Sequence, residues 1–209
     1  MIARAGAGKR YSVSARLYLL LVRLAEIEPP IWRRLTVPGT RTLHAVHGVL
    51  QAAMGWQDYH LYQFEIGETR YEHPDPEDRD PTAPDPRAVT LDELALEQGG
   101  RFRYTYDFGD DWHHDLTVEG VVPLPREVLL PVCLGGARAC PPEDCGGVGG
   151  YDQLLAALRR PKSAAAREYR EWLGRVYDPE ELDLAAINVR LGHRAPAGTG
   201  ARKPRRGAV

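Results

Sequence analysis

The stretch from Arg101 to Val122 constrains the fold more than any other. Between Arg101 and Asp107, apolar and polar residues alternate: Phe102, Tyr104 and Tyr106 on one side, Arg103, Thr105 and Asp107 on the other. A period of two belongs to a half-buried strand. Phe108-Gly109-Asp110-Asp111 follows, a turn-forming sequence, and then Trp112 to Val122 repeats the alternation through Leu116 and Val118. Two strands joined by so short a connection must pair antiparallel. The pattern predicts that the three rings share one face, and that His113 and His114, as neighbours on a strand, point to opposite faces.

The rest of the chain is organised around this hairpin. Ala15 to Glu26 and Ile31 to Val37 read as two strands interrupted by Glu28-Pro29-Pro30, since proline lacks an amide donor and fixes φ. Successive Arg33 and Arg34 send one guanidinium to each face, and one of them is expected to pair with a carboxylate. Thr42 is placed to cap a helix running to Met54, with Leu43, Val46, Val49 and Leu50 at helical spacing and Gly55 as the stop. Leu61 to Ile66 reads as a strand, residues 72–88 as a proline-rich acidic loop, and Leu91 to Glu97 as a short helix begun by Thr90. Residues 131–150 read as a Gly/Pro/Cys loop, followed by helices over Tyr151–Leu158, Ser163–Leu173 and Leu184–Leu191. Strands first and helices last indicate an α+β fold, a mainly antiparallel sheet covered by helices in a single domain. That domain spans residues 15–191, between a loose leader (1–14) and a disordered basic tail (192–209).

Composition excludes some settings. No apolar run approaches the roughly 18 residues of a membrane helix, so no membrane partner is expected. Three cysteines cannot complete a disulfide framework, which favours a reducing, cytoplasmic compartment. The net charge of −2 conceals an asymmetry, because Arg190, Arg194, Arg202, Lys203, Arg205 and Arg206 lie in the last 21 residues with no acid among them. Without those six, 21 basic residues face 29 acidic ones, a formal charge of −8 over residues 1–188. An acidic body repels nucleic-acid phosphates while a basic arm can grip them; a tail of this composition can equally be solvated chain.

Three segments carry candidate chemistry. Cys133, Cys140 and Cys145 lie within 13 positions, and with His114 as a fourth ligand they are the expected zinc set if a metal is bound. The alternative is three buried thiols packing an irregular loop. Asp107, Asp110, Trp112 and His114 cluster at the hairpin turn, where carboxylates can bind a cation, perform acid–base work or simply cap the turn. Trp56 and His60, with Tyr59 between them, could stack on a planar ligand or close the end of the core. Gly146-Gly147-Val148-Gly149-Gly150 precedes a helix as anion-binding loops do, but follows no strand of a βαβ unit. Nucleophile elbows, phosphate-binding loops ending in Lys-Ser/Thr and His-Glu-x-x-His are missing from the sequence.

Taken in order, Pro29-Pro30-Ile31-Trp32-Arg33-Arg34, Ala52-Ala53-Met54-Gly55-Trp56 with Asp58, Tyr59, His60 and Leu61, and Tyr106-Asp107-Phe108-Gly109-Asp110 with Trp112 and His114 form one pattern. It continues through Cys133, Gly136, Ala139-Cys140-Pro141-Pro142-Glu143-Asp144-Cys145-Gly146-Gly147 and Gly150-Tyr151, and ends with Tyr177-Asp178-Pro179-Glu180, Asp183 and Asn188. This pattern resembles the plasmid pRiA4b ORF-3-like family over about residues 15–191. His113 stands where that family leads one to expect an acid, and Tyr62 where it leads one to expect a second histidine. The resemblance implies an α+β domain of plasmids, chromosomes and transposon-borne genes, with no assigned activity. Some members carry resolvase-like names, but no serine-recombinase pattern is present here. The expectation is a non-enzymatic binding or accessory protein associated with mobile elements, with nucleic acid as partner through the basic tail. The alternative is a metal-assisted hydrolase of unknown substrate, with Asp107, Asp110, His114, Glu143 and Asp144 as its acid–base or ligand set.

Overall fold

The computed structural model describes residues 15–74, 80, 82–128 and 130–193. The proposed leader, most of the basic tail and part of the acidic loop lie outside these residues. In chain order the elements are β1 (Arg16–Leu24), β2 (Trp32–Pro38), α1 (Leu43–Met54), β3 (Tyr62–Ile66), β4 (Thr69–Glu72), β5 (Arg101–Tyr106) and β6 (Trp112–Pro123). They are followed by β7 (Val132–Ala137), α2 (Gly147–Leu158), α3 (Ala164–Leu173) and α4 (Leu184–Arg190). One seven-stranded sheet runs β4-β3-β5-β6-β1-β2-β7, antiparallel at every pairing. The fold is α+β.

Registers explain the core. Tyr104 pairs with His114, and His114 pairs with Leu24, so these three side chains line up on one face. The next row on that face is Phe102, Leu116 and Val22. Phe102, Tyr104 and Tyr106 are all buried, as the alternation requires. Helix α1 lies on this face, where its His44 hydrogen-bonds Tyr62 Oη (2.8 Å) and His47 hydrogen-bonds Tyr104 Oη (2.7 Å). Leu43, Val46, Leu50 and Ala53 of α1 are buried; each larger one is worth about 1.5–3 kcal/mol against exposure. The other face carries ion pairs, Arg103 on Asp115 (3.2 Å) and Arg34 on Glu119 (2.6 Å), beside the half-buried Leu19, Leu21 and Trp32. Arg34 is thus the guanidinium that pairs with a carboxylate. Helix α4 contacts α1 and β7, and α2 contacts α3.

The caps read from sequence are present. Thr42 accepts the Ala45 amide (3.2 Å), and Gly55 ends α1 at φ 88°. Two expectations need correction. Residues 91–97 form turns rather than a helix. Thr90 and Glu93 do exchange the bonds of a capping box, but Ala95 turns to φ 51° and Asp92 is drawn onto Arg16 (3.1 Å). The supposed loop 131–150 contains strand β7, and α2 begins at Gly147 rather than Tyr151. No helix among the described residues is long and apolar enough to cross a membrane.

Candidate functional site

Three separate segments meet beside the carboxyl end of α1. The first is the β5–β6 turn. Asp107 adopts φ 58°, and its Oδ1 accepts the amides of Gly109 (3.0 Å) and Asp110 (3.3 Å). This is the capping role open to an aspartate at a turn, yet it uses only one carboxylate oxygen. The second segment is the loop 141–146, which is laced to its neighbours. Trp56 Nε1 donates to Pro141 O (2.9 Å), the Gln57 amide to Glu143 Oε2 (2.8 Å), and Tyr106 Oη to Glu143 Oε1 (2.6 Å). Burial, reinforced by Glu143, pushes the Tyr106 phenol well above its ordinary range, so it stays a donor. The third segment brings His60, whose Nε2 lies 2.9 Å from Asp144 Oδ1 and 3.6 Å from Asp107 Oδ2.

Asp110 locks turn and loop together by accepting the Gly146 amide on Oδ2 (3.1 Å). Gly147 has φ +64°, and a Cβ there would sit 2.5 Å from the Asp110 carbonyl oxygen. Gly147→Ala is therefore expected to cost about 2–3 kcal/mol, from the left-handed backbone and the backbone clash together. Urea unfolding of the variant checks this; an unchanged midpoint would show that the two segments are not in fixed contact.

The expected zinc ligands are scattered. Among the described residues, no three ligand atoms from Cys133, Cys140, Cys145 and His114 come within 4.8 Å of one another. Cys133 lies on β7, where Asn188 Oδ1 accepts its amide (2.8 Å) and Asn188 Nδ2 donates to its carbonyl (3.0 Å). Cys140 Sγ lies 3.2 Å from Arg33 Nη2 and 3.2 Å from Met54 Sδ. Cys145 Sγ faces Gly147 O at 4.0 Å. All three are free and buried, and burial raises their thiol pKa values, that of Cys145 to about 12. His114 lies in the core, with Nδ1 against Trp112 O (3.1 Å) and its ring edge-on to Trp56. Strand pairing and side-chain bonds to the backbone order this region instead. Trp112 is buried beside Trp56, at a ring separation of 6.0 Å. Arg33 is buried too, its guanidinium turned to backbone carbonyls. Sequence reasoning singled out His60, Asp107, Asp110, Glu143 and Asp144, and the fold gathers them; His114, Trp112 and Arg33 are core.

A cleft of about 490 Å³ opens between the end of α1, the loop 139–144 and the segment from α3 to α4. Arg175 and Arg190 line it. Arg190 Nε donates to Ala52 O (2.8 Å), and the Arg175 guanidinium lies 5.9 Å from the Tyr177 ring centroid. Among the described residues neither forms an ion pair. Four acids line it as well: Glu181, and three that are committed, Glu143 to Tyr106 and Gln57, Asp144 to His60, and Asp183 to the Ala186 amide as cap of α4. Two lining aromatics stay open to solvent, Tyr59 (66% exposed) and Trp172 (49%). Sequence reasoning missed Trp172, Arg175 and Arg190 as a group. The available signal was a tryptophan inside the otherwise polar run Arg167-Glu168-Tyr169-Arg170-Glu171-Trp172.

Relatives agree with this picture of the fold. The chain is 38% identical over 196 residues to "Uncharacterized protein y4hQ" of Sinorhizobium fredii (strain NBRC 101917 / NGR234), covering 92% of this chain and 98% of that protein. The crystal structure of a protein of unknown function, MM3350 from Methanosarcina mazei Go1, matches with a TM-score of 0.71 and 32% identity. That match covers 82% of this chain and 97% of the archaeal one. The family described as "Plasmid pRiA4b ORF-3-like protein" matches residues 16–186, and the chain belongs to it.

Proposed function

We propose that the domain is a non-enzymatic binding module whose cleft takes a single-stranded nucleic acid. The observation that supports this is the pairing, in one cleft, of solvent-open rings at Tyr59 and Trp172 with the guanidiniums of Arg175 and Arg190, which form no ion pair among the described residues. Rings offer stacking platforms to any base, and guanidiniums neutralise the backbone. Arg190 ends α4, and the basic C-terminal run follows it directly in sequence. The plasmid in the family's name suits an accessory protein of mobile elements. Three free cysteines suit a cytoplasmic setting.

Fluorescence anisotropy with labelled single-stranded and duplex oligonucleotides at low salt tests the reading. Trp172→Ala is expected to weaken single-strand binding roughly tenfold, within the range known for one stacked base. Arg190→Ala should weaken binding and flatten its salt dependence. A chain ending at His193 separates the tail's contribution from the cleft's. The absence of binding by the full chain at low salt would remove nucleic acid from the account.

A further inference from the structure

We infer that His60, Asp107 and Asp144 form a binding site for a first-row divalent transition-metal ion. Each supplies one ligand atom, and the three atoms lie within 4.8 Å of one another. Ligands about 2.0–2.2 Å from a common ion are separated by roughly 3–3.5 Å. The observed separations of 2.9 Å and 3.6 Å from His60 Nε2 are close to that, so small side-chain shifts suffice. The three residues come from three segments held by other bonds. Asp107 is fixed by the amides on its Oδ1, and the Asp144 loop by Asp110 on Gly146 and Glu143 on Gln57. The site does not depend on the ion for its shape.

A second observation points the same way. Asp107 is only 7% exposed, yet its Oδ2 accepts no hydrogen bond from any described amide or hydroxyl and faces the His60 ring. Its Oδ1 is taken up by the turn amides, so Oδ2 keeps its lone pairs for a group approaching from the His60 side. Turn capping uses Oδ1 and leaves Oδ2 turned toward His60 Nε2 and the Asp144 loop.

The donor set selects the ion. One imidazole and two carboxylates suit Zn²⁺, Co²⁺, Mn²⁺ or Fe²⁺, whereas Ca²⁺ requires about six to eight oxygens. Three protein atoms leave at least one coordination position for water or a ligand. Asp144 also lines the cleft, so the ion would border that space.

The test uses the untagged full chain, dialysed against chelator and then titrated with Co²⁺ and Zn²⁺ near neutral pH, followed by calorimetry and by Co²⁺ absorption. One ion per chain is expected, with d–d bands and no thiolate charge-transfer band. His60→Ala and Asp144→Asn should each weaken binding roughly tenfold or more, while Cys145→Ser leaves it unchanged. Asp144 is an exposed side chain, so its variant is expected to keep the native circular dichroism and to report on the site rather than on folding. No saturable binding would overturn the inference, as would binding that ignores both substitutions, or a thiolate band lost in Cys145→Ser.

Discussion

Acidification from pH 7.5 to pH 5 is expected to remove about 4 kcal/mol of folding stability, because two buried histidines refuse a proton that the unfolded chain accepts. Burial lowers the pKa of both His47 and His114 to about 4, against an ordinary value of 6.5. Between these two values the unfolded state carries more protons than the native state, so stability falls as pH falls. At pH 5 each histidine accounts for about 2 kcal/mol of the loss. Against a typical total of about 5–15 kcal/mol this is a large fraction. Burial outweighs the Asp58 carboxylate, which favours the charged ring, and the bonds around His47 fix the tautomer of the neutral one. The Asp58 carboxylate can only accept, so His47 Nε2 donates to it (2.7 Å) and Nδ1 is left as acceptor for the Tyr104 hydroxyl (2.7 Å). Gln51 Nε2 donates to Tyr104 Oη (3.0 Å), and Gln51 Oε1 accepts the Asp58 amide (3.1 Å), which closes the ring of bonds. A proton on Nδ1 would take from the Tyr104 hydroxyl the acceptor of its own hydrogen. For His114, Nδ1 donates to Trp112 O, and Nε2 is buried with no hydrogen-bond partner among the described residues. Urea midpoints at the two pH values measure the loss. His47→Gln should remove about half of the pH dependence whatever it does to absolute stability. A midpoint that does not move between pH 7.5 and pH 5 would mean that neither ring is held neutral.

The sequence made the hairpin and the helix caps legible because both are local. Alternation over Phe102 to Tyr106 decides a face without reference to the rest of the chain, and Thr42 and Gly55 cap α1 through bonds within four residues. What escaped depends on contacts distant in sequence. Strand β7 reads as a loop because its second half is Gly135-Gly136. In the sheet Gly136 is required by the approach of β2: a Cβ there would lie 2.6 Å from Trp32 O. The cysteines drew attention to zinc because three of them lie within 13 positions, with His114 as a fourth ligand, and the fold sends them to different neighbours. Asp107 and Asp144 stand together in one candidate acid–base or ligand set, and His60 apart from them with Trp56 and Tyr59. Asp144 lies 84 residues from His60, and only the folding of the 141–146 loop over the hairpin turn unites them. The cleft is harder still to read, since Arg175 and Arg190 look like solvated charges until α3 and α4 are placed.

Arg33→Met is expected to destabilise the fold by about 3–5 kcal/mol, because it strips the donor from several buried carbonyl oxygens at about 1–3 kcal/mol each. Arg33 is 3% exposed and has no carboxylate partner among the described residues. Its five N–H donors are all used instead. Nε donates to Ala53 O (3.2 Å), Nη1 to Trp32 O (2.8 Å) and Ala137 O (2.9 Å), and Nη2 to Arg138 O (2.8 Å) and Cys140 Sγ (3.2 Å). One planar fork thus ties the end of α1, strand β2 and the chain leaving β7. Methionine fills part of the volume and leaves several buried carbonyls without a donor. Arg33→Lys should fare little better, because an ammonium has three donors and cannot spread them over five acceptors. Arg34→Ala, on the other face of the sheet, loses only a part-exposed pair with Glu119 and should barely move the midpoint. Urea denaturation of the three variants separates these cases. A second readout follows from Cys140, which lies against Arg33 and lines the cleft. Once the fork is gone, its thiol should be alkylated under native conditions faster than in the parent chain. An Arg33→Lys protein as stable as the parent, with Cys140 equally protected, would show that charge alone suffices and that the five-bond fork does not hold these segments together.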